Sequence, residues 1–114
     1  MNISFEGIGQ WAATFSCAEV REGELVKVSG NGAVGPCGEG EDFCGQVISM
    51  GKGGDACAVQ LGGFVTAGYT GNAPVPGWCG LSADGDGGVK TDAEGRQYLV
   101  AEVDAAAGAV TFAL

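Results

Sequence analysis

FCGQVISMGKGGDACAVQLGGFVTAGY, residues Phe43–Tyr69, is the stretch whose reading decides the fold. Within it Asp55–Leu61 alternates, with Cys57, Val59 and Leu61 on one side and Ala56, Ala58 and Gln60 on the other. A period of two is that of a β-strand with one buried face. Gly51, Gly53 and Gly54 precede this strand and supply a turn in which positive φ meets no Cβ. Phe43–Ser49 is the strand entering that turn. At Gly62-Gly63 the chain can bend sharply, so Phe64–Ala67 reads as a third strand beside the second. None of these residues is chemically reactive, so the centre of the chain reads as scaffold.

Working outward, Trp11, Ala13, Phe15 and Cys17 alternate with Ala12, Thr14 and Ser16, which is again a strand. Glu24–Ser29 is followed by Asn31-Gly32, the dipeptide favoured in a type I′ hairpin turn, and by a short return strand. Pro36–Asp42 is a loop by composition. Gly68–Gly77 (GYTGNAPVPG) is the longest irregular segment, because Pro74 and Pro76 lack the N–H that a sheet ladder needs. Trp78–Ala83, the short edge Val89–Thr91, Tyr98–Val103 and Val110–Leu114 complete the strands. Turn signals recur every eight to twelve residues and no segment sustains a helical period. That pattern predicts an all-β fold, a single compact β-barrel or β-sandwich of short antiparallel strands spanning residues 1–114.

Composition narrows the function. The chain has 114 residues and a net charge of −9, from 14 acidic and five basic side chains. Such a surface repels phosphate backbones and anionic lipid, so neither nucleic acid nor membrane is an expected partner. The 23 glycines are about a fifth of the chain. Each costs roughly 0.5–1 kcal/mol relative to alanine in regular structure. Burial of further apolar surface against other copies would offset that cost, and a homo-oligomer is expected. The amino terminus, MNISFEGIGQW, has no basic segment leading into an apolar run, so synthesis and folding in the cytoplasm are expected.

The residues that usually carry chemistry are sparse. Histidine is absent, and with it the commonest general base. No Gly-x-Ser-x-Gly elbow and no phosphate-binding G-x-x-x-x-G-K-[ST] loop occurs. Asp84-Gly85-Asp86-Gly87-Gly88 begins like a calcium loop, yet Gly95 stands at the twelfth position, where a bidentate glutamate is required. Five cysteines at irregular spacing (17, 37, 44, 57 and 79) fit neither a disulfide framework nor a zinc site, and read as small buried hydrophobes. No enzyme activity, metal or cofactor is expected. Trp11, Tyr69 and Trp78 are expected to pack in the core or at a subunit interface, since no basic groove accompanies them for stacking nucleic acid.

Several of these segments together resemble a known group. Gly23-Glu24-Leu25-Val26-Lys27-Val28, Asn31-Gly32, Phe43–Ile48, Ala58–Val65, Pro76-Gly77-Trp78 and Asp104–Val110 follow the order seen in small Gly/Ala-rich β proteins of tailed phages and prophages, of the capsid-decoration or capsid-cement kind. The resemblance runs from about Gly23 to Leu114. It implies a compact β-barrel, trimeric, that docks beside the major capsid protein and stiffens the shell of the virion after synthesis in the bacterial host. An extended amino-terminal arm is consistent with such docking, and residues 1–10 are the candidate for it. The alternative is a small β module that recognises a glycan or protein through residues 68–78. Under either reading Tyr69, Pro74, Pro76 and Trp78 are the candidate contact residues.

Overall fold

The computed structural model describes residues 10–114, which form ten β-strands and no helix. The arm expected over residues 1–10 therefore lies, apart from Gln10, outside the described residues. The strands are β1 (Trp11–Cys17), β2 (Leu25–Gly30), β3 (Ala33–Pro36), β4 (Gly45–Met50), β5 (Ala56–Gly62), β6 (Phe64–Gly68), β7 (Gly77–Ala83), β8 (Val89–Thr91), β9 (Arg96–Asp104) and β10 (Ala109–Ala113). The all-β expectation holds, and the strand ends fall within about two residues of those read from alternation and turn signals.

The first five strands close into a barrel in the order β1-β3-β2-β4-β5, with β5 pairing back onto β1. All its pairs are antiparallel except β1–β3, where Ser16 and Cys17 run parallel to Ala33 and Val34. The remaining strands form a second sheet in the order β6-β10-β9-β7-β8. Past β6, Tyr69 bridges Val89 of β8, and the Thr70 N–H donates to the Val89 carbonyl at 3.0 Å, so this sheet also curls round towards closure.

Each unit has its own core. Val26, Val34, Val47 and Val59 fill the barrel with Cys17 and Cys57. Phe43, Tyr98 and Phe112 fill the second core, with valines and alanines of the second sheet around them. The Phe43 ring stacks on Tyr98 (centroids 5.1 Å apart, 12° between planes). Phe112 meets both edge-on, at 5.8 Å from Phe43 and 5.3 Å from Tyr98. Offset stacking and edge-to-face contacts are the favoured arrangements of aromatic quadrupoles.

β2 serves both cores at once. Val26 points into the barrel while its neighbour Leu25, on the opposite face of the same strand, is buried in the second core. Leu25 N–H donates to Gly87 O at 3.0 Å, and Ala83 exchanges backbone hydrogen bonds with Gly40 and Glu41 at 2.9 and 3.0 Å. The barrel and the second sheet are thus stitched by backbone as well as packed by side chains.

Two readings from local pattern need correction. Alternation groups Gln60 with Ala56 and Ala58, but Gln60 is buried, whereas Leu61 on the apolar side is only partly buried. The reason is non-local. Gln46 and Gln60 face each other across β4 and β5. Gln46 Nε2 donates to Gly23 O at 3.1 Å and Thr66 O at 2.7 Å, and Gln60 Nε2 donates to Gly62 O at 2.9 Å and Phe64 O at 3.0 Å. Phe64 and Thr66 belong to β6, which ends the second sheet. Its outward carbonyls therefore meet side-chain amides where a further strand would have donated, and this edge is covered. The Asn31-Gly32 turn also differs from the type I′ form. Gly32 has a positive φ (65°) but Asn31 does not, and the register slips between Val28 and Gly30. The β-bulge supplies the twist that two left-handed residues would have given.

The Gly62-Gly63 corner carries the chain from barrel to second sheet. A Cβ on Gly62 would fall 2.0 Å from Nε1 of Trp11, so only glycine lets the indole lie across the strand here. Gly63 has a φ of 90° and its carbonyl accepts from Leu114 N–H at 2.9 Å.

Candidate functional site

Residues 68–78, expected to act as one contact loop, divide between two surfaces and the interior. Tyr69 is half-buried against the second core and Pro74 is buried. Val75, Pro76 and Trp78 are exposed, Trp78 to 73%. Trp11 is 59% exposed, so neither tryptophan is a core residue. The core positions that large rings were expected to take are held by Phe43, Tyr98 and Phe112.

Tyr69 and Thr70 line the first surface, a cleft of about 530 Å³. Three segments distant in sequence build it: Arg21–Glu24 from the barrel, Gly68–Thr70 after β6, and the 84–88 turn before β8. Glycine keeps these segments close, since a Cβ on Gly88 would sit 2.4 Å from Gly68 O and one on Gly87 would touch Glu24 at 3.0 Å. The cleft walls carry Glu22, Glu24, Asp84 and Asp86 against the single cation Arg21. Much of this carboxylate serves the loops themselves. Asp84 Oδ1 accepts from the backbone N–H of Asp86 (2.7 Å) and Gly88 (3.0 Å), and Glu24 Oε1 accepts from Arg21 N–H (2.6 Å). The calcium-like opening Asp84-Gly85-Asp86 is accordingly a side-chain-capped turn. Among the described residues no three Asp, Glu, Cys or His side chains are grouped as metal ligands.

The second surface is the outward face of β7 and β9. Trp78 stands opposite Leu99, and Leu99 opposite Ala113 of β10. Tyr98 and Val100 turn inwards, which by strand alternation turns Leu99 out, where it is 38% exposed. Leu99 was not singled out from sequence because Tyr98-Leu99-Val100-Ala101 is apolar throughout and shows no alternation.

The five cysteines are all free thiols, with Cys17, Cys37 and Cys57 buried. Burial, reinforced by the Glu41 carboxylate, pushes the Cys37 thiol from its ordinary 9.0 up to about 11. Burial and then the adjacent Cys17 push Cys57 to about 11 as well. A raised thiol pKa favours the neutral form in the folded chain. The stabilisation is complete below pH 9 and is lost as the pH rises through about 11, because the unfolded chain ionises first. The urea midpoint is expected to fall over that interval, and less so in the Cys37→Ala/Cys57→Ala variant. At pH 8 a thiol reagent is expected to label Cys44 and Cys79 first and the three buried thiols only on unfolding. Mass spectrometry of alkylated peptides reads this order directly, and early labelling of Cys57 would contradict it.

No family model matches the chain, and comparison with curated proteins and with solved structures returns no match.

Proposed function

We propose that the chain is a non-enzymatic structural protein of a phage or prophage particle, a capsid-decoration or cement-like subunit that works as a homo-oligomer, with a trimer favoured. The observation that carries this reading is the placement of the aromatic residues. A rigid β body fills its cores with Phe43, Tyr98 and Phe112 and leaves Trp78 73% exposed on a regular strand. An exposed ring held by a sheet is suited to dock against another protein surface, since little conformational entropy is lost when it is covered. The resemblance of the segment order to that of phage β proteins suggests the kind of particle. The subunit would act by burying surface across neighbouring copies of the major capsid protein, which lowers the free energy of the assembled shell without covalent chemistry.

Density-gradient fractionation of particles from the bacterium that carries the gene tests this reading. The chain is expected to band with the shells in a fixed ratio to the major capsid protein. Recovery only from the free-protein fractions of particle-producing cells would overturn it. A second reading, a module that recognises a glycan or protein, draws on the cleft, where Tyr69 and Thr70 meet the 84–88 turn. It predicts glycan-array binding by the unassembled protein that is lost on Tyr69→Ala and kept on Trp78→Ala.

A further inference from the structure

We infer that the outward face of β7 and β9, centred on Trp78 and Leu99, is where a second copy of this chain docks. The inference deepens the proposed function and rests on its oligomeric part, since it names the surface through which the copies meet. Register puts Trp78, Leu99 and Ala113 in one row across β7, β9 and β10. Val75, 67% exposed, and Pro76 extend the row at the entry to β7. Gln97 is the outward neighbour of Leu99 along β9, and Glu102 follows only beyond the register shift, opposite Thr111. The Asp92–Gly95 turn folds over the other side of the face, with Asp92 N–H donating to Gly80 O at 3.0 Å. An apolar centre with a polar rim is the anatomy of a protein–protein contact.

Charge selects the occupant. No charged residue lies between Asp55 and Asp84, so β5, β6, the proline segment and β7 together contribute none. The rest of the chain carries all of the −9. Along β7, Trp78 is six residues from Asp84 at the cleft, which is about 20 Å of extended strand. The uncharged Trp78 end of β7 and the acidic cleft therefore sit at opposite ends of one strand, with Asp92 and Glu94 of the turn at Gly80 on the rim of the face. Two bodies of equal negative charge repel through any contact that opposes carboxylates, and a neutral centre avoids that. A cationic partner would instead be drawn to the cleft end. The surface that suits an uncharged Trp78–Leu99 row is charge-free surface of a second copy, met head-to-tail around a closed ring as a trimer requires.

Sedimentation velocity across a dilution series provides the test. The native chain is expected to sediment as a multiple of 11.3 kDa. Trp78→Arg and Leu99→Lys are each expected to weaken association by about tenfold or more, the scale of a buried aromatic anchor. Both positions are exposed, so the far-ultraviolet spectrum should stay unchanged. Val28→Lys, at an apolar position on β2 of the barrel that is 57% exposed, should leave association intact. An oligomer unaffected by Trp78→Arg and Leu99→Lys overturns this face while the oligomeric reading survives. A chain that is monomeric at every concentration overturns both. A third outcome also overturns the inference: in a Trp11→Phe background, a monomer whose Trp78 emission shifts to the red only when residues 1–9 are deleted. That result would assign the face to the chain's own amino terminus.

Discussion

Phe112→Ala is expected to destabilise the chain by about 3–5 kcal/mol, the range for truncating a fully buried phenylalanine. Phe112 is 0% exposed and meets both other rings of the second core edge-on. Phe43 reaches that core from the segment just before β4, so the ring cluster also fastens the barrel chain to the second sheet. Removing Phe112 leaves a void facing two rings that cannot both move in, since Phe43 and Tyr98 are already stacked at 5.1 Å. Whole domains are stable by only about 5–15 kcal/mol, and a chain one-fifth glycine is expected in the lower part of that range. The loss should lower the melting temperature by roughly 10–30 °C, at about 3–6 °C per kcal/mol for a chain of this size. Urea denaturation and calorimetry measure it. Phe112→Leu, which keeps most of the volume, should cost no more than about 1.5 kcal/mol. A Phe112→Ala loss below about 1 kcal/mol would mean that the ring does not fill this core.

Local pattern carried the fold class because most strands here are bounded by turn residues of their own segment and several alternate. β1 and β5 alternate openly, and the glycines at 51–54 and 62–63 mark turns that the chain makes. Which strand pairs with which is a different kind of information. The parallel β1–β3 pair joins segments some seventeen residues apart, and nothing in either segment points to the other. The division into two cores is likewise hidden, because Leu25 and Val26 are both simply apolar, though they serve opposite sides of one strand. Gln60 shows the limit most plainly. Its amide is buried because β6 brings the Phe64 carbonyl to 3.0 Å, and no reading of residues 55–61 alone contains that fact.

The candidate contact residues divide along the same line. Pro76 and Trp78 are at the surface, as candidate contact residues must be, although the tryptophan ring was equally expected in a core. Pro74, two residues from Pro76, is buried, because whether a loop proline faces in or out depends on what the loop crosses. Tyr69 looked like part of the same loop, but the bridge to Val89 draws it onto the second core and the cleft. The cleft itself needs residues 21–24, 68–70 and 84–88 together, three stretches that read separately as a polar turn, a strand end and a glycine turn.

Gly45→Ala is expected to destabilise by about 3 kcal/mol or more, at or above the upper end of ordinary overpacking. The cause is space, because Gly45 is not among the glycines with a left-handed backbone. A Cβ there would lie 2.3 Å from the Gln60 carbonyl oxygen and 2.8 Å from Val59 Cγ1. A side chain can rotate away, but a backbone carbonyl within a strand can move only if β4 and β5 part. That displacement reaches the polar seam, since Gln60 also donates to Phe64 O and sits opposite Gln46. Gly30→Ala supplies the control. A Cβ on Gly30 would meet nothing within 4 Å and its φ is not left-handed. Alanine there removes freedom only from the unfolded chain, and a gain of about 0.4–1 kcal/mol is expected. The two alanine variants should therefore move the urea midpoint in opposite directions, though both replace a strand glycine by the same methyl group. Equal shifts would show that composition, and not the close approach of β4 to β5, sets the cost.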